Sequence, residues 1–127
     1  MTYEIEKILE NAEDCLLTAQ YNADGGWNKA AVNRAYYCMF DSVTALLRDK
    51  GLAAKTHQGA HILFSQHYIK TGIMSVEMGE NLAEVFVLRQ SSDYDFEFEP
   101  DEANILTALE HARTFFAATR AYFEVKH

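Results

Sequence analysis

The stretch from Asn28 to Leu47, NKAAVNRAYYCMFDSVTALL, constrains the fold most, because its centre AYYCMF is apolar on every side of a helical wheel. A helix with no polar face belongs in the middle of a bundle, with neighbours on several sides. It opens at Trp27 and ends with Arg48 and Lys50 in its last turn and Gly51 just beyond, where a left-handed residue closes a helix.

Its neighbours are legible from the same periodicity. Ile5, Ile8, Leu9, Ala12, Leu16 and Ala19 recur at three- and four-residue spacing, which predicts a helix from about Thr2 to Tyr21, capped by Thr2 with Glu4 and Glu6 in its first turn. A third helix is expected from His57 to Lys70, stopping at Gly72. A fourth starts at a Ser75 cap, and a fifth runs from Asp101 to Lys126 after the single proline. Short links favour antiparallel neighbours. The expected fold is all-α: one domain over residues 1–127, an up-and-down bundle of four to five helices, with the third and fourth acting as a broken pair. The alternation FEFEP (96–100) has no second strand to pair with, so it is expected to be an extended connection whose Phe96 and Phe98 cover the bundle end.

Charge and motif content exclude several functions. The 127 residues carry a formal charge of −8, with a pI near 5.0, so there is no general basic face to track a phosphate backbone. DNA is not an expected partner, and RNA or nucleotide binding would need a local site. Cys15 and Cys38 lie inside helical patterns and are expected as buried, reduced thiols. His57 and His61 sit one turn apart, a spacing that can bind metal, but no Glu-x-x-His or cysteine completes a ligand set. His67 and His111 are expected as partly exposed helix residues. No glycine loop for a nucleotide is present, and no cofactor is expected. The acidic N-terminus is unlike a signal or transit peptide, and no apolar run approaches bilayer length; a cytoplasmic protein without a membrane partner is expected.

One helix carries an anomaly. On the fourth, Met78, Leu82, Val85 and Phe86 form an apolar stripe whose next positions are Arg89 and then Asp93. An inward guanidinium cannot lose its proton, so it must be paired or sit at the rim of a cavity or interface. Asp93 is one turn on; Asp41 with the hydroxyl of Tyr37 is a second set of partners if the two helices pack side by side. Arg34 is a further charge among apolar residues. Arg34, Tyr37, Asp41, Arg89 and Asp93 therefore form either register-fixing ion pairs or an anion, nucleotide or RNA site between helices or across a dimer interface.

These residues also carry a resemblance. NRAYYCMFDSVTALL, then KTHQGAHILFSQHYIKTG, then LRQSSDYDF, in that order, resemble the HEPN domain family over about Asn28 to Phe116. The resemblance implies a bundle of four to five helices, a homodimer, and a gene beside a minimal nucleotidyltransferase in a two-component, toxin–antitoxin-like system. Many members are ribonucleases or toxins, in which an arginine followed after four to six residues by a histidine forms an RNA-cleaving centre. Here that arginine corresponds to Arg89, but Tyr94, Asp95 and Phe96 stand where the histidine would fall. The pairing of Arg120 with His127 is accidental, since a chain end positions nothing.

RNA cleavage beside a 2′-hydroxyl needs a proton acceptor poised near neutral pH, a task for which histidine is suited and an unperturbed aspartate or tyrosine is not. Little metal-independent ribonuclease activity is thus expected from the sequence; a ribonuclease using Arg89 with Asp93 or another base, and a dimeric scaffold without a ligand, are the alternatives. The resemblance also makes Tyr94 a place where a partner nucleotidyltransferase could attach a nucleotide. The competing expectation is that its ring packs under the FEFEP connection.

Overall fold

The computed structural model describes residues 1–126, and its five helices follow from local signals already in the chain. Helix α1 (Tyr3–Asp24) starts where the Thr2 hydroxyl accepts the Ile5 N–H at 3.2 Å. Helix α2 (Asn28–Asp49) follows a two-glycine break and ends at Gly51, whose φ of 70° lets Leu52 N–H reach back to the Leu47 carbonyl at 2.8 Å. Helix α3 (His57–Phe64) is capped by Thr56. Helix α4 (Val76–Tyr94) is capped by Ser75, and α5 (Glu102–Lys126) by a reciprocal pair in which Asp101 and Asn104 each accept the other's backbone N–H.

Helix α2 packs against all four others, and it buries residues on every side: Val32, Tyr36, Met39, Val43 and Leu46 are all fully enclosed. Burying one such aliphatic side chain is worth about 1.5–3 kcal/mol, so this helix organises the core. Phe64, Tyr68, Phe115 and Phe123 extend that core toward α3 and α5. Among the described residues, no helix is long and apolar enough to cross a membrane.

Three details depart from expectation. The third helix does not run evenly to Lys70: after Phe64 it widens into a π-helical turn, Ser65–Ile69, which places Tyr68 inside the core with its hydroxyl on the Leu46 carbonyl. The FEFEP segment begins with a tight turn, where the Asp95 carboxylate accepts the Glu97 N–H and the Asp95 carbonyl accepts the Phe98 N–H. That turn throws Phe96 outward, 91% exposed, so it covers nothing; only Phe98 is half-buried, in a cavity with Val87, Leu88 and Ser91. The suggested match of Arg120 with His127 falls on a residue outside those described.

Candidate anion site between α2 and α4

The α4 stripe turns inward as the spacing requires: Met78, Leu82 and Val85 are buried, and Arg89 continues it with its side chain only 12% exposed. Arg89 Nη2 donates to the Tyr37 hydroxyl at 3.0 Å. Its Nε stands 2.9 Å from Asp93 Oδ2, yet the N–H is not aimed at that oxygen and Nε is buried without a hydrogen bond. Charge rather than a directed bond holds this pair. The carboxylate is anchored independently, because Asn33 Nδ2 donates to the same Oδ2 at 3.0 Å.

Asn33 links the two arginines. Its Oδ1 accepts from Arg34 Nε at 3.0 Å and Nη2 at 2.8 Å, while the Arg34 guanidinium carbon lies 5.2 Å from the Tyr37 ring centroid. Arg89 lies 5.3 Å from the same centroid. The result is a closed circuit, Arg34–Asn33–Asp93–Arg89–Tyr37, in which Arg89 pairs with the carboxylate directly and Arg34 reaches it only through Asn33. Among the described residues no hydrogen bond uses Arg89 Nη1, so one face of the cation is left for an anion.

Asp41 is not part of this circuit, which corrects the expectation that it pairs with Arg89. It lies on the side of α2 that faces α1: Asn11 Nδ2 donates to Asp41 Oδ2 at 2.7 Å, and Cys15 Sγ is 3.9 Å from it. Burial raises the Asp41 carboxyl above the ordinary range, partly offset by the Asn11 hydrogen bond and the Arg34 charge. Arg34 Nη1 donates to Cys15 Sγ at 3.6 Å, so Arg34 bridges both groups. Both cysteines are free and buried, and burial pushes each thiol up, away from reactivity.

Tyr94 does not pack under the connection. It is 70% exposed, its ring centroid is 5.6 Å from the Arg89 guanidinium carbon, and its hydroxyl has no hydrogen-bond partner among the described residues.

Asn33 was missed on sequence, and the histidine pair His57 and His61 was read there only as a possible metal spacing. Tyr36, fully buried on α2, sets its hydroxyl 2.7 Å from His57 Nδ1 and 3.0 Å from His61 Nε2. One hydroxyl proton serves two ring nitrogens, so one imidazole accepts from Tyr36 and the other donates to it. The His57 ring stacks on Phe40 at 4.2 Å, and His61 meets the Phe86 ring edge at 4.9 Å. The available signal was the coincidence of an i, i+4 histidine pair with a tyrosine in a helix that has no solvent face.

Burial first, and the His57 charge second, lower His61 to about 4; burial and then the Arg89 charge lower His57. The unfolded chain takes up the His61 proton near pH 6.5, whereas the folded chain resists until about pH 4. Stability is therefore complete above pH 6.5 and declines as the pH falls toward 4, by roughly 2–3 kcal/mol for His61. Asp41 works in the opposite sense, because its folded carboxyl binds a proton more readily. Urea unfolding at pH 7 and pH 5 measures the net slope, and His61→Gln is expected to flatten it; an unchanged slope in that variant would refute the assignment.

The comparisons with known proteins agree with this architecture. The HEPN domain model matches residues 5–122. A Methanocaldococcus jannaschii protein named "Putative toxin MJ0142" is 35% identical over 126 residues, covering 98% of this chain and 84% of that protein. A Thermotoga maritima "UPF0332 protein" is 34% identical over 125 residues, 95% of each chain. A second M. jannaschii protein, "Putative toxin MJ0605", is 30% identical over 112 residues, 88% of this chain and 83% of that one. With a helical bundle matched almost end to end and the motif arginine facing the central helix, this chain is a member of the HEPN domain family.

Proposed function

We propose that the chain is the helical, toxin-like component of a two-component system, partnered by a minimal nucleotidyltransferase, with a phosphate-binding site for nucleotide or RNA at Arg89. The observation that carries this reading is the placement of Arg89 and Tyr94: a shielded guanidinium with an unused Nη1, beside an exposed tyrosine whose hydroxyl is unengaged. A nucleotide joined to the Tyr94 oxygen would place its phosphate beside that cation, and Asp93 and Asp95 would then repel the new anion and loosen the end of α4. The names of the M. jannaschii relatives support the toxin-like part of this reading.

The test is an intact-mass measurement after incubation with the candidate nucleotidyltransferase and ATP. The expected result is an added nucleotide that Tyr94→Phe does not receive. No added mass, or added mass that persists in that variant, ends the idea.

The same reading includes a homodimer formed along α4. Val76 and Val87 on this helix, and Phe96 just after it, are exposed apolar residues that a second copy would cover. Light scattering at micromolar concentration is expected to give twice the 14.5 kDa chain mass; a monomer mass would remove the dimer.

A further inference from the structure

Where α2 faces α1, the two helices frame an open cleft of about 480 Å³ that contains no residue of the Arg89 circuit. They run antiparallel there: Arg48 Nε lies 3.5 Å from Glu4 Oε1, and Asn11 Nδ2 donates to Asp41 Oδ2 at 2.7 Å. Glu4, Ile8 and Asn11 recur at three- and four-residue spacing on α1 and so share one face, opposite Asp41 and Thr44, which stand one turn apart on α2. The cleft therefore has an apolar middle, Ile8 with the exposed ring of Tyr3, and a carboxylate toward each end.

The inner carboxylate, Asp41, lacks a countercharge. Among the described residues both of its contacts, from Asn11 and from the Cys15 thiol, fall on Oδ2; Oδ1 accepts nothing, and no ion pair reaches the group. The neighbouring cations are engaged elsewhere: Lys7 with Glu10 at 3.1 Å, Arg48 with Glu4, and Arg34 with Asn33 and Cys15. Burial pushes the Asp41 carboxyl up, and the Arg34 charge offsets this only in part. A half-buried carboxylate at the end of a solvent-open cleft is stabilised by a cation brought onto its free oxygen.

The shape of the cleft selects the kind of cation. A metal ion requires several ligands gathered at one point, and no group of three or more His, Cys, Asp or Glu side chains is so gathered among the described residues. An alkylammonium is satisfied by one or two acceptors and carries a carbon chain that suits the apolar middle. Glu4 and Asn11 are two helical turns apart on α1, roughly 10 Å along the axis, so a chain charged at both ends reaches both carboxylates. We propose that this cleft binds a linear polyamine of spermidine length, one terminal ammonium donating to Asp41 Oδ1 and the other to Glu4, with the carbon chain lying on Ile8 and Tyr3. Glu4 shares its contact with Arg48, a pair whose side chains are 65% and 37% exposed and which is weakly held. The formal charge of −8 draws such a cation from solution, and Asp41 fixes where it settles.

The experiment is isothermal titration calorimetry of the full chain with spermidine in low-salt buffer. Saturable one-to-one binding is expected. It should weaken roughly 10- to 100-fold in Asp41→Asn, the loss of a charge-assisted hydrogen bond, and stay unchanged in Glu110→Gln, which removes the same charge from an exposed position on α5. Nα-acetyl-lysine amide, which carries a single ammonium, is expected to bind more weakly than spermidine. Absence of saturable binding overturns the proposal. Equal losses in the two variants also overturn it, since they would mean attraction to net charge alone. Equal affinity for the lysine derivative removes the contact at Glu4 and with it the polyamine. Should Asp41→Asn fail to fold, amide NMR shifts of the unaltered chain decide: spermidine must shift residues 3–11 and 41–44 and leave α5 unmoved, and shifts spread over every acidic helix reject the site.

Discussion

In a urea titration at pH 7, Tyr36→Phe is expected to lose about 2–3 kcal/mol of folding free energy, although the change removes one oxygen atom. The ring remains and the core volume is kept, so no cavity term enters. What is lost is the single group that serves His57 Nδ1 and His61 Nε2 at once. Both nitrogens then lie beside a hydrocarbon ring, and each polar group left unpaired in such surroundings costs about 1–3 kcal/mol. His57 is half-exposed and recovers part of this from water; His61, enclosed by Phe86 and Tyr36, recovers less. A loss below about 1 kcal/mol would mean that the hydroxyl bridges nothing of consequence.

Arg89→Ala is expected to weaken RNA or nucleotide binding by roughly 10- to 100-fold, the worth of a hydrogen bond to a charged group, while costing only about 1–2 kcal/mol of stability. A fully buried ion pair broken on one side loses about 3–5 kcal/mol, because the remaining charge is stranded. Asp93 is not stranded: it is 23% exposed and keeps the Asn33 hydrogen bond. Truncation also removes Nε, a buried donor without an aligned acceptor, which offsets part of the loss. Anisotropy with labelled RNA and thermal unfolding of the same samples separate the two effects. Unchanged affinity would refute the anion site, and a large fall in melting temperature would return Arg89 to a structural role.

The helices were legible because their signals are local. Thr2, Thr56, Ser75 and Asp101 each satisfy or begin a helix N-terminus within three residues, and Gly51 stops α2 through its own backbone. Arg89 and Asp93 were legible for the same reason, one helical turn apart on an inward stripe. The Arg89–Tyr37 contact was found because a charge in the core needs a partner and the all-apolar helix is the obvious neighbour. Asp41 failed because helical spacing does not say which of several neighbours a given face of α2 meets; that depends on how α1 and α4 divide its circumference. Phe96 failed because the Asp95 turn outweighs the apolar character of the side chain. The histidine pair was noticed only as a possible metal motif, since its true partner, Tyr36, lies more than twenty residues away in sequence.

The uneven anchoring of the helices has a consequence for motion. The backbone of α3 approaches α2 and its own π-helical continuation but not that of α4, which the His57 and His61 rings meet at Phe86. Helix α2, by contrast, is clasped from all sides. Amide hydrogens of α2 should then exchange with solvent only when the whole chain opens, whereas those of α3 should exchange through a smaller, local detachment. The imidazoles travel with the segment that detaches, whereas Arg89 belongs to α4, which packs on α2. The histidine pair and Arg89 therefore belong to parts of the chain with different expected lifetimes, and any ligand that touched both would slow exchange in α3 while leaving α2 unchanged.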